Sequence, residues 1–415
     1  MSDIFFTKNQ KCRLCGSGRL EMFLKLPEVA LAGNPSAEPS RGRERLFALN
    51  AYRCEECGLI QLADIVSSDI YKDYTYTPAH SESFKNYARW LCGDIFSKFS
   101  PRTVIEIGSG DGFLINEFAR AGASAAGFEP SAKLASDCAS GGGAFIINDY
   151  FGRGSIARLP GEFTRRGADA VIIRHVMEHL NDFDAVMEPI CSALDETKGV
   201  LAIEVPYAAD IISQNQFYAF FHEHISYFSF DTLSKLLKKY GLFVIDALTN
   251  GLEGGSILIY AGFEKNRGRY PSYQIPPSFY EDDKLTDISN LRSFSAKVKS
   301  YCDGFREFLS AARSRGARFC AWGAGQRGVS LINICALTSS DINFVIDVNP
   351  LYQGKFIPGT DIPVKPPSEL DSRNDINAVV IFATGYARDI MSSNLSFTAR
   401  GGRFASIIPE AGWYR

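Results

Sequence analysis

The chain has 415 residues and a mass of 45.8 kDa, with 46% hydrophobic and 22% charged residues. This is globular composition with room for roughly two to four cores, and it excludes disorder, collagen and coiled coil. A net charge of −3 and a pI of about 6.0 supply no field toward phosphate backbones or an anionic bilayer, so neither nucleic acid nor membrane is an expected partner. The opening Met1 to Lys8 lacks a secretory pattern, and no apolar run of about 18 residues occurs, so the expectation is a cytoplasmic protein, monomeric or a small homo-oligomer.

In a reducing compartment the 10 cysteines are read for metal or redox chemistry before disulfides. Cys12-Arg-Leu-Cys15-Gly and Cys54-Glu-Glu-Cys57-Gly are two Cys-x-x-Cys turns joined by 38 residues. Each turn sets two sulfurs on one side of an ion, the glycine frees the backbone where amides face those sulfurs, and two such knuckles close a tetrahedral zinc site. A four-sulfur site is structural, and metal binding there supplies folding energy that the Pro- and Gly-rich stretch Leu26 to Arg45 otherwise lacks. Cys92, Cys138, Cys191, Cys302, Cys320 and Cys335 stand singly and read as small core residues.

An amphipathic helix is predicted from about Ser83 to Phe99. Thr103 to Ile107 then reads as a buried strand running into Gly108-Ser-Gly110-Asp-Gly112 and a helix from Phe113 to Ala121, which brings a ligand to the backbone at the strand's carboxyl end. Glu129 ends the next strand, 19 residues past Gly110, where a carboxylate can accept from both hydroxyls of a ribose. The third glycine comes one residue early for a pyrophosphate binder, and Glu106 precedes the turn. Both features look like a class I S-adenosylmethionine (SAM) methyltransferase, whose sulfonium cofactor suits acidic neighbours. The same predicted domain continues through Asn148-Asp149, a strand from Ala168 to His175, a helix from Asp182 to Leu194 and a strand from Gly199 to Val205, implying a doubly wound sheet. His175-Val-Met-Glu178-His179 matches the H-x-x-E-H pattern of inverted zinc proteases. It follows a strand directly, however, and Asn181-Asp182 supplies a new helix cap, so a strand-end loop facing the cofactor cleft is the expected reading.

All five histidines lie between His80 and His224. The last two flank Glu223 in an aromatic stretch, His222-Glu223-His224, where each buried ring nitrogen needs a partner. These three residues also offer a second metal site, although strand alternation would turn Glu223 away. Pro271, Pro276 and Pro277 mark a linker, Leu285 to Ser314 reads as a long helix, and Arg318 to Gly328 is a strand into Gly323-Ala-Gly325-Gln-Arg327-Gly328. Asp347 follows 19 residues after Gly328, so this turn has dinucleotide spacing. It also carries Trp322, and Arg327 could pair with a substrate diphosphate. The Pro- and Gly-punctuated segment Asn349 to Pro363, with Lys355, reads as a binding rim.

In this order the parts resemble the three-domain sugar C-methyltransferases that act on nucleotide-linked 4-keto deoxysugars. The residues that carry the resemblance are Cys12, Cys15, Cys54 and Cys57, the Glu106 to Gly112 turn with Glu129-Pro130, the His222-Glu223-His224-x-Ser-Tyr-Phe-Ser segment, and the Gly-rich turn with Gln353-Gly-Lys-Phe-Ile-Pro-Gly-Thr360. The implied fold is α/β: a zinc-binding module (1–75), a class I methyltransferase Rossmann-like domain (76–263) and a second Rossmann-like, substrate-binding domain (264–415).

The resemblance implies SAM as methyl donor, a structural zinc, and a nucleotide-sugar held between the two larger domains. It also implies His224 as the base, with Glu223, His179, His222 and Tyr76 around it. Glu106, Gly108, Gly110, Gly112, Glu129, Asp149 and His175 are the expected cofactor residues; Trp322, Gly323, Gly325, Arg327 and Lys355 are the expected acceptor residues. Phe221 stands where the family carries tyrosine, and Pro78-Ala-His80 where it carries serines. O-methylation, an NAD-dependent oxidoreductase on the second glycine turn, and a zinc-ribbon binding module without catalysis are the competing readings.

Overall fold

The computed structural model describes residues 6–33, 35–66 and 81–414. Tyr76, Pro78 and His80 lie outside the described residues.

In the N-terminal module, strands Leu20–Val29, Phe47–Cys54 and Ile60–Leu62 pair antiparallel. Phe47–Cys54 alternates buried and partly exposed residues, so one face is committed to a core. That sheet gains a fourth strand, Ser226–Tyr227, from far along the chain. A two-residue strand has no legible periodicity, so the predicted sequence of elements did not include it.

The central sheet has seven strands in the order Leu242–Asn250, Ser256–Phe263, Val200–Pro206, Ala170–Arg174, Thr103–Ile107, Ser124–Phe128, Phe145–Ile147. The strands from Val200–Pro206 to Phe145–Ile147 are parallel, and Ser256–Phe263 is antiparallel to both of its neighbours. Val200–Pro206 is buried at every position because both faces are covered. The strand order reverses beside Thr103–Ile107, which opens a crevice at the carboxyl ends of that strand and of Ala170–Arg174. Helix Glu82–Phe99 packs Phe84, Ala88, Leu91, Cys92 and Ile95 inward at helical spacing, with the Ser81 hydroxyl capping the Phe84 amide at 3.3 Å.

A second sheet has six strands, ordered Val364–Lys365, Val345–Ile346, Phe319–Trp322, Ala378–Ile381, Arg403–Ser406, Gly412–Trp413. The long helix predicted before it runs Ile288–Arg313, starting where the Asp287 carboxylate accepts from the Asn290 amide at 2.8 Å. The predicted rim from Asn349 to Pro363 is divided. Its first residues face the crevice, but Phe356 bridges Ser36 and the Thr360 carbonyl accepts from the Ser40 amide at 2.9 Å, docking the later part on the connector of the N-terminal module. Ile357 and Ile362 are fully buried there. Extended backbone with buried isoleucines gains more from pairing than from facing solvent.

No helix among the described residues is long and apolar enough to cross a membrane.

Candidate active site

The two knuckles place Cys12 Sγ 3.4 Å from Cys57 Sγ and Cys15 Sγ 3.6 Å from Cys54 Sγ, with all four sulfurs within 4.8 Å of one another. Tetrahedral zinc with bonds of about 2.3 Å needs sulfurs about 3.8 Å apart, so the donor set fits the ion. Gly16 and Gly58 follow each knuckle at positive φ and donate to the Cys12 and Cys54 carbonyls. Arg13, inside the first knuckle, donates to the Ile225 carbonyl at 2.9 Å and so ties the metal module to the histidine segment.

The carboxyl ends of both Rossmann-like sheets open onto one cavity of about 840 Å³. From the central sheet it is lined by Glu106, Gly108, Gly110 and Glu129. The Glu129 carboxylate accepts from the Gly110 amide at 2.9 Å and the Ser131 amide at 2.8 Å, which clamps the glycine turn. A Cβ on Gly110 would meet nothing within 4 Å, whereas one on Gly108 would strike Val176 and one on Gly112 would strike Cys138. Gly110 is therefore the glycine open to a ligand, and Gly112 serves helix packing outside the cleft. Glu106 is buried with Oε2 lacking a hydrogen-bond partner, and burial pushes its carboxyl up to about 8 against the pull of Arg174. An open backbone turn, a clamped carboxylate and a second buried carboxylate fit a cationic, ribose-bearing cofactor. Asp149 turns away: it is exposed and pairs with Arg158 at 3.0 Å, while its neighbours Tyr150 and Phe151 line the cavity.

The opposite wall comes from the C-terminal sheet, with Trp322, Gly323, Gly325 and Arg327 lining it. Asp347 repeats the role of Glu129 by accepting from the Ala324 amide at 2.7 Å. Arg327 reaches across to Gln216 Oε1 at 3.0 Å. Lys355 does not line the cavity, because its loop has moved onto the N-terminal module.

Between the walls lie His175, His179 and His224. The H-x-x-E-H pattern spans a strand end and the 3-10 turn Met177–His179, and the Asp182 carboxylate caps the next helix through the Asp184 amide at 2.9 Å, as its spacing predicted. His175 holds a left-handed φ of 49° and donates its amide to the Glu204 carbonyl at 2.9 Å. Burial opposes ionisation of the Glu204 carboxylate, yet Arg174 and His175 hold its pKa below the ordinary range. His179 Nδ1 meets the Glu223 carbonyl at 2.7 Å; since a carbonyl only accepts, Nδ1 carries the proton of that contact. The His224 ring lies against Phe221 and His179, at centroid distances of 4.1 and 4.8 Å. Burial, followed by His179, Arg327 and His175, holds its pKa well below the ordinary value, so it is a neutral imidazole at pH 7.

The three neighbours in His222-Glu223-His224 diverge because the segment is a turn. His222 points into the N-terminal module, with Nε2 3.1 Å from the Ala48 carbonyl, and burial lowers its pKa to about 4. The Glu223 carboxylate lies against Gly33, where an added Cβ would come within 2.9 Å, and burial raises it to about 7. Neither residue lines the cavity, and the three do not form a metal site. The grouping that does form in the cleft is Glu178, His179 and His224, with one ligand atom from each within 4.8 Å of the others. Glu178 is the residue that the site reading missed; its signal was the H-x-x-E-H pattern itself.

Three family models match the chain in succession: a zinc binding domain over residues 12–71, a methyltransferase domain over 83–247, and a C-methyltransferase C-terminal domain over 251–409. The C-methyltransferase NovU of Streptomyces niveus is 28% identical across 96% of each chain. Among solved structures, the magnesium protoporphyrin IX methyltransferase ChlM of Synechocystis PCC 6803 with bound SAM is 17% identical, covers 44% of this chain and 78% of that one, and has a TM-score of 0.32. The mitomycin 7-O-methyltransferase MmcR is 20% identical, with 44% and 55% covered and a TM-score of 0.33.

Proposed function

We propose that this chain, similar to three-domain, zinc-containing SAM-dependent C-methyltransferases, takes a nucleotide-linked keto sugar as methyl acceptor and that the methyl joins the carbon beside its ketone. The observation that carries this reading is the single cavity of about 840 Å³ shared by both glycine turns, with His224 between them. One wall suits the cofactor; Trp322 and Arg327 on the other suit a base and a diphosphate, an arginine fork matching phosphate oxygens. SAM supplies an electrophilic methyl on a positively charged sulfonium. His224 removes the proton from the carbon next to the ketone, and His179, which lines the same cavity, orients the acceptor as the enolate forms. The walls exclude water from that charge.

The reading is tested by mass spectrometry and carbon-13 NMR of the protein with SAM and a panel of nucleoside-diphosphate 4-keto-6-deoxysugars, expecting one added methyl whose carbon-13 shift is that of a methyl on carbon and not of a methyl ether. Methylation at oxygen, or reduction of the panel with NADH in place of methyl transfer, would overturn it.

Two outcomes concern the cofactor wall. Glu129→Ala removes the acceptor of the ribose hydroxyls and unties the Gly110 amide, so SAM affinity by calorimetry should fall by roughly 1.5 to 3 kcal/mol, about ten- to a hundredfold. Unchanged affinity would count against the assignment.

Glu106, held at about 8, is mostly protonated in the ligand-free protein at neutral pH. A cation beside it favours the carboxylate, so SAM binding should release a proton below pH 8 and tighten as pH rises from about 6 to 8. Calorimetry in buffers of different ionisation enthalpy reads that proton, and Glu106→Gln should abolish it. In the ligand-free protein the folded pKa lies above the ordinary 4.5, so the contribution of Glu106 to stability is full below 4.5 and is lost as pH rises through about 8. Glu106→Gln should therefore raise the melting temperature more above pH 8 than at pH 5.

A further inference from the structure

We propose that Glu178 is the positioning residue of His224: a buried carboxylate set against the ring of the base, where it stabilises the imidazolium that forms when His224 takes the acceptor's proton. The inference rests on His224 being the base.

Glu178 is 1% exposed, and neither of its carboxylate oxygens has a hydrogen-bond partner. Its Oε1 lies 3.9 Å from His224 Nε2 and 3.3 Å from His175 Nδ1. The backbone is pinned to the same segment, because the Glu178 carbonyl accepts from the Ile225 amide at 2.8 Å, one residue past the base. On the far side of the ring, His224 Nδ1 is buried and also lacks a hydrogen-bond partner.

A carboxylate out of water without hydrogen bonds is costly to keep, unless a charge arises beside it during the working cycle. Proton removal creates that charge. The carbon–hydrogen bond breaks, its electron pair enters the enolate, and the proton goes to the His224 ring. Glu178, beside Nε2, takes no proton itself. The imidazolium and Glu178 then form a neutral pair in a low-dielectric site. The separation of 3.9 Å exceeds a hydrogen bond, and contacts of this kind commonly tighten when the acceptor is bound.

The other titratable and charged groups around His224 are His175 and His179 on the strand-end turn, Arg327 across the cleft, and Glu223 and Tyr227 on its own segment. His179, Arg327 and His175 all oppose a positive charge on His224. Glu178 is the carboxylate placed against the ring itself.

The test compares wild type, Glu178→Gln and Glu178→Asp. With the keto-sugar panel and SAM, Glu178→Gln should lower kcat roughly ten- to a hundredfold, leave SAM affinity unchanged, and move the acid limb of the kcat profile down by about one pH unit. The limb moves down because the base loses its proton more readily once the neighbouring negative charge is gone. Glu178→Asp should recover part of both effects. Independently of any acceptor, carbon-13 NMR of the imidazoles in this five-histidine protein, with His224 assigned through His224→Asn, should show its pKa lower in Glu178→Gln than in wild type.

A wild-type enzyme inactive on the whole panel would overturn the substrate reading, and the NMR titration would still decide the placement of Glu178. An unmoved His224 titration, or an active Glu178→Gln with the wild-type pH profile, would overturn the positioning role. A divalent ion that wild type requires for turnover and that Glu178→Gln no longer binds, with the cysteine-bound zinc retained, would make the cluster a metal site and equally overturn it.

Discussion

His224→Asn is expected to lose a hundred- to ten-thousandfold in turnover, the range contributed by a positioned base, with SAM affinity preserved. The same variant should stop exchange of the acceptor's acidic carbon-bound proton with deuterated water in the absence of SAM. The geometry makes this more specific than the sequence did. Of the two flanking histidines, His224 lines the cavity, whereas His222 is committed to the Ala48 carbonyl and packs edge-on against Phe47 at a centroid distance of 5.9 Å. His222→Asn should therefore lower the melting temperature while proton exchange continues. Wild-type exchange in His224→Asn would place the base elsewhere in the cleft, with His179 next in line because it lines the same cavity.

Cys54→Ser is expected to remove the zinc and, with it, far more than the folding of a surface module. Structural zinc contributes on the order of 10 to 16 kcal/mol to small domains of this kind, so soluble yield should fall and metal analysis should drop from one ion per chain to none. The larger effect is on turnover. Arg13 of the first knuckle holds the Ile225 carbonyl, and Ile60–Leu62 pairs with Ser226–Tyr227 immediately beyond His224. Loss of the knuckles frees the base's segment from its support, while the Glu129 clamp on the glycine turn lies in another sheet. Residual folded protein should thus bind SAM almost normally yet transfer methyl poorly. Zinc-free protein with full stability and full turnover would defeat both the metal assignment and this coupling.

The sequence by itself determined what depends on short range. The two Cys-x-x-Cys-Gly turns, the Glu106 to Gly112 turn, the acid closing the following strand, and the amphipathic helix before it are all legible because their chemistry is set by neighbours within a few residues. Gly112 marks the limit of this: read from the sequence as a cofactor residue, it lacks a side chain because Cys138 presses on it. Tertiary structure decided the rest. Alternation could not say that His222 and His224 part company, because the segment is a turn and its side chains follow the partners that two different domains offer. Periodicity could not reveal that Ser226–Tyr227 completes the N-terminal sheet, or that the loop carrying Lys355 docks on the connector near Ser40 instead of facing a ligand, since backbone hydrogen bonds carry no residue code. Asp149, expected at the cofactor, is exposed and paired with Arg158, a partner the sequence spacing did not point to. The value of Glu178 likewise lies in what does not touch it: a buried carboxylate without a hydrogen bond is a property of the folded surroundings, and the His224 ring is brought to it by a segment 46 residues away in sequence.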